Sequence, residues 1–476
     1  MKIRALFVLG FLFYINLVSS AFGAPAAPIF LKNFPHQSFH QLKSGKQIVG
    51  KSDFQWKVEG PQRISFVEKS SMKLTLFQKT QEISTHVETV TNENLEIQKF
   101  VFSMKTSEAT IEVSGERIGS NLRLKVTQAG STQTKELPIQ EPLLLSPTIR
   151  PFLLMKGLPK SKETYSGFLL EPSALTTIPL TMSVELASPK KYAVDVRYLS
   201  QSLKSEMEPS GALIKEVSDL AGMPIEASPV SAAEYKQLVL TAPKEDLVEV
   251  ARVGFPPISN SKDLRSFSVK ISGVDLKPFE LNRNRQKLDR DILTVKVESL
   301  PSQTLPVQAL IGQKQYEPYL QGDSSIAVFD PLIQKKAKEI VGNESDLWKR
   351  AKLIFDFVNT KVEKVPTVSV PNALEVLKTM KGDCNEHSVL YTALARAAGV
   401  PTRMVVGLVY GERMAKGSGF YYHAWVEVFT GKDWIAIDPT WNQIPADATH
   451  LAFVEGGLEQ QVQVTSLMGK IQLSPH

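Results

Sequence analysis

Residues Lys381 to Arg403 read KGDCNEHSVLYTALARAAGVPTR and hold the chain's single cysteine, Cys384. Gly382 and Asp383 end the segment before it. From Cys384 to Ala398, Val389, Leu390, Ala393, Leu394 and Ala397 recur at helical spacing until Gly399 and Pro401 interrupt them. The thiol is expected at a helix N-terminus, where unpaired N–H groups and the positive end of the macrodipole favour a thiolate. Asn385 and Glu386 are positioned to cap that start.

Downstream, Phe420 to Phe429 (FYYHAWVEVF) and Trp434 to Asp438 (WIAID) are aromatic and β-branched runs parted by Thr430 and Gly431, the pattern of a hairpin. A turn centred between residues 430 and 431 pairs positions whose numbers sum to 861. His423 then faces Asp438, with Cβ atoms about 5 Å apart on one side of the sheet. A helix-start thiol beside a His and an Asp on adjacent strands supplies a nucleophile, a proton carrier and an orienting carboxylate.

GDCNEHS around Cys384, the LARAAGVPTR that follows, YYHAWVEV around His423 and IDPTWNQ around Asp438 stand in an order that resembles the bacterial transglutaminase-like domains. These are relatives of the animal transglutaminases and of papain-type cysteine proteases. The resemblance covers the last third of the chain, and it implies an α+β fold with Cys384 as nucleophile, His423 as base and acid, and Asp438 as the group fixing the imidazole. Its chemistry would be attack on an amide carbonyl of a protein or peptide substrate, a thioester, and resolution by water or an amine. Water is the favoured acceptor because a solvent-filled compartment supplies it in excess. An Asn at position 438 would still orient the ring without stabilising its charge. No calcium loop of the D-x-D-x-D-G type is present, and no cofactor is expected.

Each reading has a plainer rival. A lone cysteine is often a small buried core residue, and a histidine among aromatics is more often core than base. Polar flanks favour use of Cys384, and the pairing with Asp438 favours use of His423. His387, one turn into the helix, is read as support for the site rather than its base. Glu386, Trp425, Trp441 and Asn442 are further candidates to support or wall it. Zinc on Cys384, His387, His423 and Asp438 ranks behind thiol chemistry, because paired ligands at short spacing are largely missing. The rival class is a non-catalytic envelope binding or scaffold protein that retains the fold.

With 476 residues, two to three domains are expected. Residues 1–23 carry Lys2 and Arg4, an apolar run from Ala5 to Val18, and Ala21-Phe22-Gly23 before Ala24, the form of a cleaved export signal. The apolar run is short of the about 20 residues that span a bilayer, and no second membrane segment follows. The mature chain is expected in the periplasm or outside the cell. Removing Lys2 and Arg4 takes the net charge from +6 to +4. So mild an excess, without Lys/Arg blocks, argues against a nucleic-acid partner. One cysteine cannot form an internal disulfide, and an unused thiol in an oxidising compartment is a liability, which points again to Cys384.

Residues 24–242 read as an N-terminal β domain, a large twisted antiparallel sheet or half-barrel that offers a face to an envelope partner. Leu122, Leu124 and Val126 alternate with Arg123 and Lys125, and Gly130-Ser131 and Pro209-Ser210-Gly211 punctuate the runs. Pro138 to Pro159 carries five prolines, too many for a central strand, and is read as a surface connection in preference to an apolar lip. Residues 243–306 suggest a small β module or extension, and 307–330 a linker. The catalytic domain is expected over 331–476, with helices Pro331–Val341, Asp346–Val362 and Asn372–Met380 leading to Cys384. A fragment starting near Val307 is expected to fold alone.

Overall fold

Strand-forming alternation organises the N-terminal half. In Asn121–Gln128, Leu122, Leu124 and Val126 are buried while Arg123 and Lys125 are exposed. The computed structural model describes residues 27–476 apart from 61, 108, 129, 200, 303, 366–369 and 413–416, so the expected signal at 1–23 lies outside the described residues. Fifteen strands join one sheet. Eight, from Gln37–Ser44 to Ser131–Pro138, run as an antiparallel meander; the other seven end at Met223–Val230, which returns to pair with the first strand through Phe39 and Val230. The two edge strands, Ser131–Pro138 and Leu143–Leu144, are successive in the chain. So short a link reaches under about 20 Å, so the sheet must curl until its edges approach. This is the large curled sheet, a half-barrel, that the alternation suggested.

The proline-rich stretch is not surface-draped. Leu143, Leu144, Leu145, Phe152 and Leu153 are buried, and a helix, Ile149–Lys156, lies against the aromatic cluster of Phe34, Phe54, Trp56 and Phe66. Pro147 and Pro151 fall where a helix start tolerates a missing N–H, so the prolines permit a plug that they would not permit as a strand.

Residues 243–306 do not form a unit of their own. Val253–Gly254 pairs with Phe420 and Gly419 at the edge of the C-terminal sheet. Ser266–Ser272 pairs with Ile292–Lys296 on one side and with the chain's last strand, Gln472–Pro475, on the other. Val269, Ile271, Leu293 and Val295 share one buried cluster with Val406, Leu408, Phe420 and Phe453. The alternation of this segment was read correctly; what covers its apolar face was not visible, because the cover comes from more than a hundred residues away. The expected linker is ordered too. Two 3₁₀ turns, Val307–Leu310 and Lys314–Tyr319, occupy it, and Leu310, Ile326 and Val328 enter the helical core.

That core is made by helices Pro331–Val341, Leu347–Lys361, Ala373–Thr379 and Cys384–Ala397. Asp330, Asp346 and Asn372 cap the first three through side-chain oxygens. The helices pack on a five-stranded sheet with Gly419–Phe429 at its centre, flanked by Thr402–Gly411 and Trp434–Ile437. Buried Glu427 answers Arg403, and Arg283 reaches Glu455 at 2.6 Å, tying the 243–306 segment to this sheet. Among the described residues, no helix is long and apolar enough to cross a membrane.

Candidate active site

Cys384 is the first residue of its helix, and Asp383 is the N-cap. Asp383 Oδ1 accepts the N–H of Asn385 at 3.0 Å, while Glu386 Oε2 accepts the N–H of Asp383 at 3.1 Å, closing a capping box. These caps change the expected electrostatics. Burial foremost, then the carboxylates of Asp383, Glu386 and Asp438, push the Cys384 thiol well above its ordinary value; the N–H of Ala424 pulls the other way. Burial of the sulfur and the two capping carboxylates thus oppose the thiolate that a helix start favours. Cys384 itself is half-buried against the apolar cluster that also holds Tyr422.

The Ala424 contact brings the sulfur to the strand Gly419–Phe429, next to His423. His423 is 5 % exposed, and its Nε2 donates to Asp438 Oδ2 at 2.8 Å. In the neutral ring this leaves the Nδ1 lone pair free to take a proton. The route to this contact differs from the expected one. Thr430 and Asp433 close a four-residue turn, so facing positions sum to 863: Phe429 with Trp434, Val426 with Ile437. His423 and Asp438 are therefore diagonal, not opposite. Slipping by two residues preserves the side of the sheet, which is why the pair still meets.

Asp438 is fully buried and fixed from both sides. Its backbone bridges Gln443 in both directions, and its Oδ1 accepts the N–H groups of Thr440 at 2.8 Å and Trp441 at 3.0 Å. Burial alone would raise this carboxyl, but His423 and His450 hold it far below the usual carboxylate range. Asn442 is exposed with φ 57°, in the turn that follows Asp438. Trp425 is fully buried, 6.3 Å from the His423 ring, and half-buried Trp441 is 4.8 Å away, so the two indoles wall the imidazole. His387 donates from Nδ1 to the carbonyl of Asp383 at 2.7 Å, a bond within its own helix.

Sequence reasoning missed His450 and Asp447. His450 is fully buried, with Nε2 3.2 Å from Asp438 Oδ2 and Nδ1 3.2 Å from Asp447 Oδ1. The one local signal was D-A-T-H at 447–450, in which Asp447 Oδ1 accepts the N–H and hydroxyl of Thr449 in a tight turn. His423, Asp438 and His450 have ligand atoms within 4.8 Å of one another, a spacing a metal could use. Here both imidazole Nε2 atoms are engaged with Asp438 Oδ2, at 2.8 Å from His423 and 3.2 Å from His450.

Residues 334–439 match the family model of the transglutaminase-like superfamily, a span that includes Cys384, His423 and Asp438 and ends before Asp447 and His450. An uncharacterized protein of Bacillus subtilis, YebA, is 26% identical over 149 residues, covering 27% of this chain. The chain spans a fifth (20%) of that relative's length. Two solved structures are also similar. A candidate cysteine protease from Cytophaga hutchinsonii is 17% identical, with 45% of this chain and 82% of that one covered and a TM-score of 0.29. A β-barrel-like protein of unknown function from Brucella abortus is 10% identical, with 42% and 96% covered and a TM-score of 0.33.

Proposed function

From a chain whose residues 334–439 form a transglutaminase-like domain, we propose thiol-dependent acyl transfer at amide bonds, with hydrolysis as the usual outcome. The observation that carries this reading is the pairing of His423 Nε2 with Asp438 at 2.8 Å on the strand whose Ala424 N–H meets the Cys384 sulfur. Because the thiol is held up by burial and carboxylates, its proton leaves as attack proceeds. His423 Nδ1 takes that proton while sulfur bonds the amide carbonyl carbon. The N–H of Cys384 meets the oxyanion. The imidazolium then gives its proton to the leaving nitrogen as the C–N bond breaks, and a thioester remains. Water, deprotonated by His423, attacks the thioester; the acid leaves and the thiol is restored.

The substrate proposed is a protein or peptide met outside the cytoplasm, and the half-barrel is the proposed face for an envelope partner. Incubation of the mature chain with a peptidyl electrophile should add one adduct at Cys384, seen by intact mass and peptide mapping. Cys384→Ala should abolish it, and a wild-type thiol slower than free cysteine would overturn the reading. An N-terminus near Ala24 in protein from its native compartment tests export. The elevated, half-buried thiol favours one rival, a retained fold used as a scaffold, and the same labelling decides between them.

A further inference from the structure

His450 and Asp447 lie beyond the family-matched span, yet they complete the surroundings of Asp438. An ionised carboxylate only accepts hydrogen bonds. A neutral imidazole donates from one nitrogen and presents a lone pair at the other. Set between Asp438 and Asp447, with no solvent access, a neutral His450 would aim that lone pair at a carboxylate oxygen. We propose that His450 is a positioning residue of the site: a buried imidazolium that donates from Nε2 to Asp438 and from Nδ1 to Asp447, anchoring the carboxylate that orients His423. The proposal rests on the acyl-transfer reading for its catalytic meaning.

Its surroundings support the assignment. The charged or titratable groups facing His450 are Asp438, Asp447 and, 6.0 Å away ring to ring, His423; Trp425 at 5.2 Å and Trp441 at 6.2 Å close the remaining sides. Burial by itself would push His450 down, but its bonds to the two carboxylates outweigh that and hold it above its ordinary value. Asp447, which burial would raise, is drawn to about 2 chiefly by His450. Asp447 is itself fixed: Gln443 Nε2 donates to its Oδ2 at 2.9 Å, and its N–H returns to Gln443 Oε1 at 2.8 Å. Behind the loop, buried Arg285 donates to the carbonyls of Ala446 at 2.8 Å and Asp447 at 2.9 Å, with Glu298 3.6 Å from the guanidinium. Two positively charged groups thus bracket Asp447, and one of them reaches the triad carboxylate.

The consequence is electrostatic as well as geometric. Asp438 raises the Cys384 thiol, and a cation on the far side of Asp438 tempers that effect. Removing the cation should move the thiol further up. The test uses the full mature chain with ¹³C-labelled histidine, alongside the pH profile of Cys384 alkylation by iodoacetamide. His450, assigned by the signal lost in His450→Gln, should keep the doubly protonated signature above pH 7, where an ordinary imidazole near 6.5 has become neutral. His450→Gln should shift the alkylation midpoint upward by about half a pH unit or more, a roughly threefold loss of rate at neutral pH. Should that variant not fold, Asp447→Asn serves, with a smaller shift in the same direction and an earlier loss of the His450 signature. A neutral His450 at pH 7, or superimposable alkylation profiles, would overturn the proposal. If no acyl-enzyme ever forms while both signatures appear, the acyl-transfer reading fails and the charged His450 stands.

Discussion

Asp438→Asn is the sharpest probe of the proposed chemistry, because the structure reverses the effect expected from sequence. An amide is commonly taken to orient an imidazole as a carboxylate does. Asp438, however, receives N–H groups on both oxygens: Thr440 and Trp441 on Oδ1, and His423 and His450 on Oδ2. An Asn side chain offers one oxygen and one NH₂ group. The backbone N–H groups cannot change role, so the amide oxygen stays with them, the NH₂ faces both imidazoles, and His450 must give up its Nε2 proton. His423 must then accept at Nε2 and carry its proton on Nδ1, the nitrogen needed to receive the thiol proton. Loss of the orienting carboxylate through such a tautomer error costs about 10⁴ in rate in a comparable triad, or about 5.5 kcal/mol of transition-state stabilisation. Asp438→Ala, which imposes no tautomer, should be no slower. Acylation by a peptidyl electrophile, followed by intact mass at pH 7, measures both. An Asn variant within about tenfold of wild type would refute the argument, since it would mean that Nε2 is not where the working proton must be held.

Gly407→Ala should destabilise the sheet behind His423: a Cβ there would lie 1.9 Å from the carbonyl oxygen of Leu451, next to His450, against the 3.4 Å where ordinary contact begins. A cost of about 3 kcal/mol is expected from such overpacking, read as a lowered urea midpoint, whereas Gly60→Ala, with nothing within 4 Å, should be neutral. A fragment beginning at Val307 should aggregate in size-exclusion chromatography, because Val406, Leu408, Phe420 and Phe453 lose Val269, Ile271, Leu293 and Val295; one beginning at Pro243 should stay monodisperse. Arg285→Met should lower thiol alkylation and stability together, and adding Glu298→Leu should restore the stability but not the alkylation rate, since the carbonyls of Ala446 and Asp447 stay unclamped. In the half-barrel, burial and then Arg150 bring His40 down to about 4. The unfolded chain binds that proton first, so stability is full above about 6.5 and lost as pH falls towards 4; His40→Gln should flatten this part of a urea-midpoint profile.

What could be read from the sequence was local. Val389 to Ala397 repeat at helical spacing, and the Cys384–Ala397 helix follows. Aromatic and β-branched runs gave both hairpin strands near their observed ends, but Thr430-Gly431 understated the turn, which takes in residues 430–433. Parity saved the His423–Asp438 contact where register failed, because a side chain's face depends on odd or even position and not on the exact partner. The thiol's electrostatics were misjudged for a different reason: the helix start was weighed without the burial of the sulfur and without the charge of its caps, although Asp383 and Glu386 stand in the same motif. His450 was illegible because its meaning lies in contacts across the loop from Asp438 to Asp447. A buried histidine between two carboxylates looks, in one dimension, like any histidine before an apolar strand.

The division between a transglutaminase-like domain and accessory parts of the chain does not survive the packing. The strand carrying His423 runs between two cores: Val426, Val428 and Phe429 belong to the helical cluster, while Phe420 and Ala424 belong to the cluster built with residues 253–297. Cys384 begins a helix whose body lies in the first core, yet its own side chain rests against the second. The gap between sulfur and imidazole is therefore set by how the two cores fit, and a change in either moves one partner relative to the other. The segment 243–306 acts on that gap by three routes. It supplies the apolar seat through Val269, Ile271, Leu293 and Val295. Arg285 holds the carbonyls of Ala446 and Asp447. Gln286 brackets Ala452, taking its N–H at 2.9 Å and donating to its carbonyl at 2.8 Å, and so fixes the strand that follows His450. Since Asp447 and His450 lie between those two clamps, a residue of the 243–306 segment reaches the His423–Asp438 pair through one loop and one shared carboxylate oxygen.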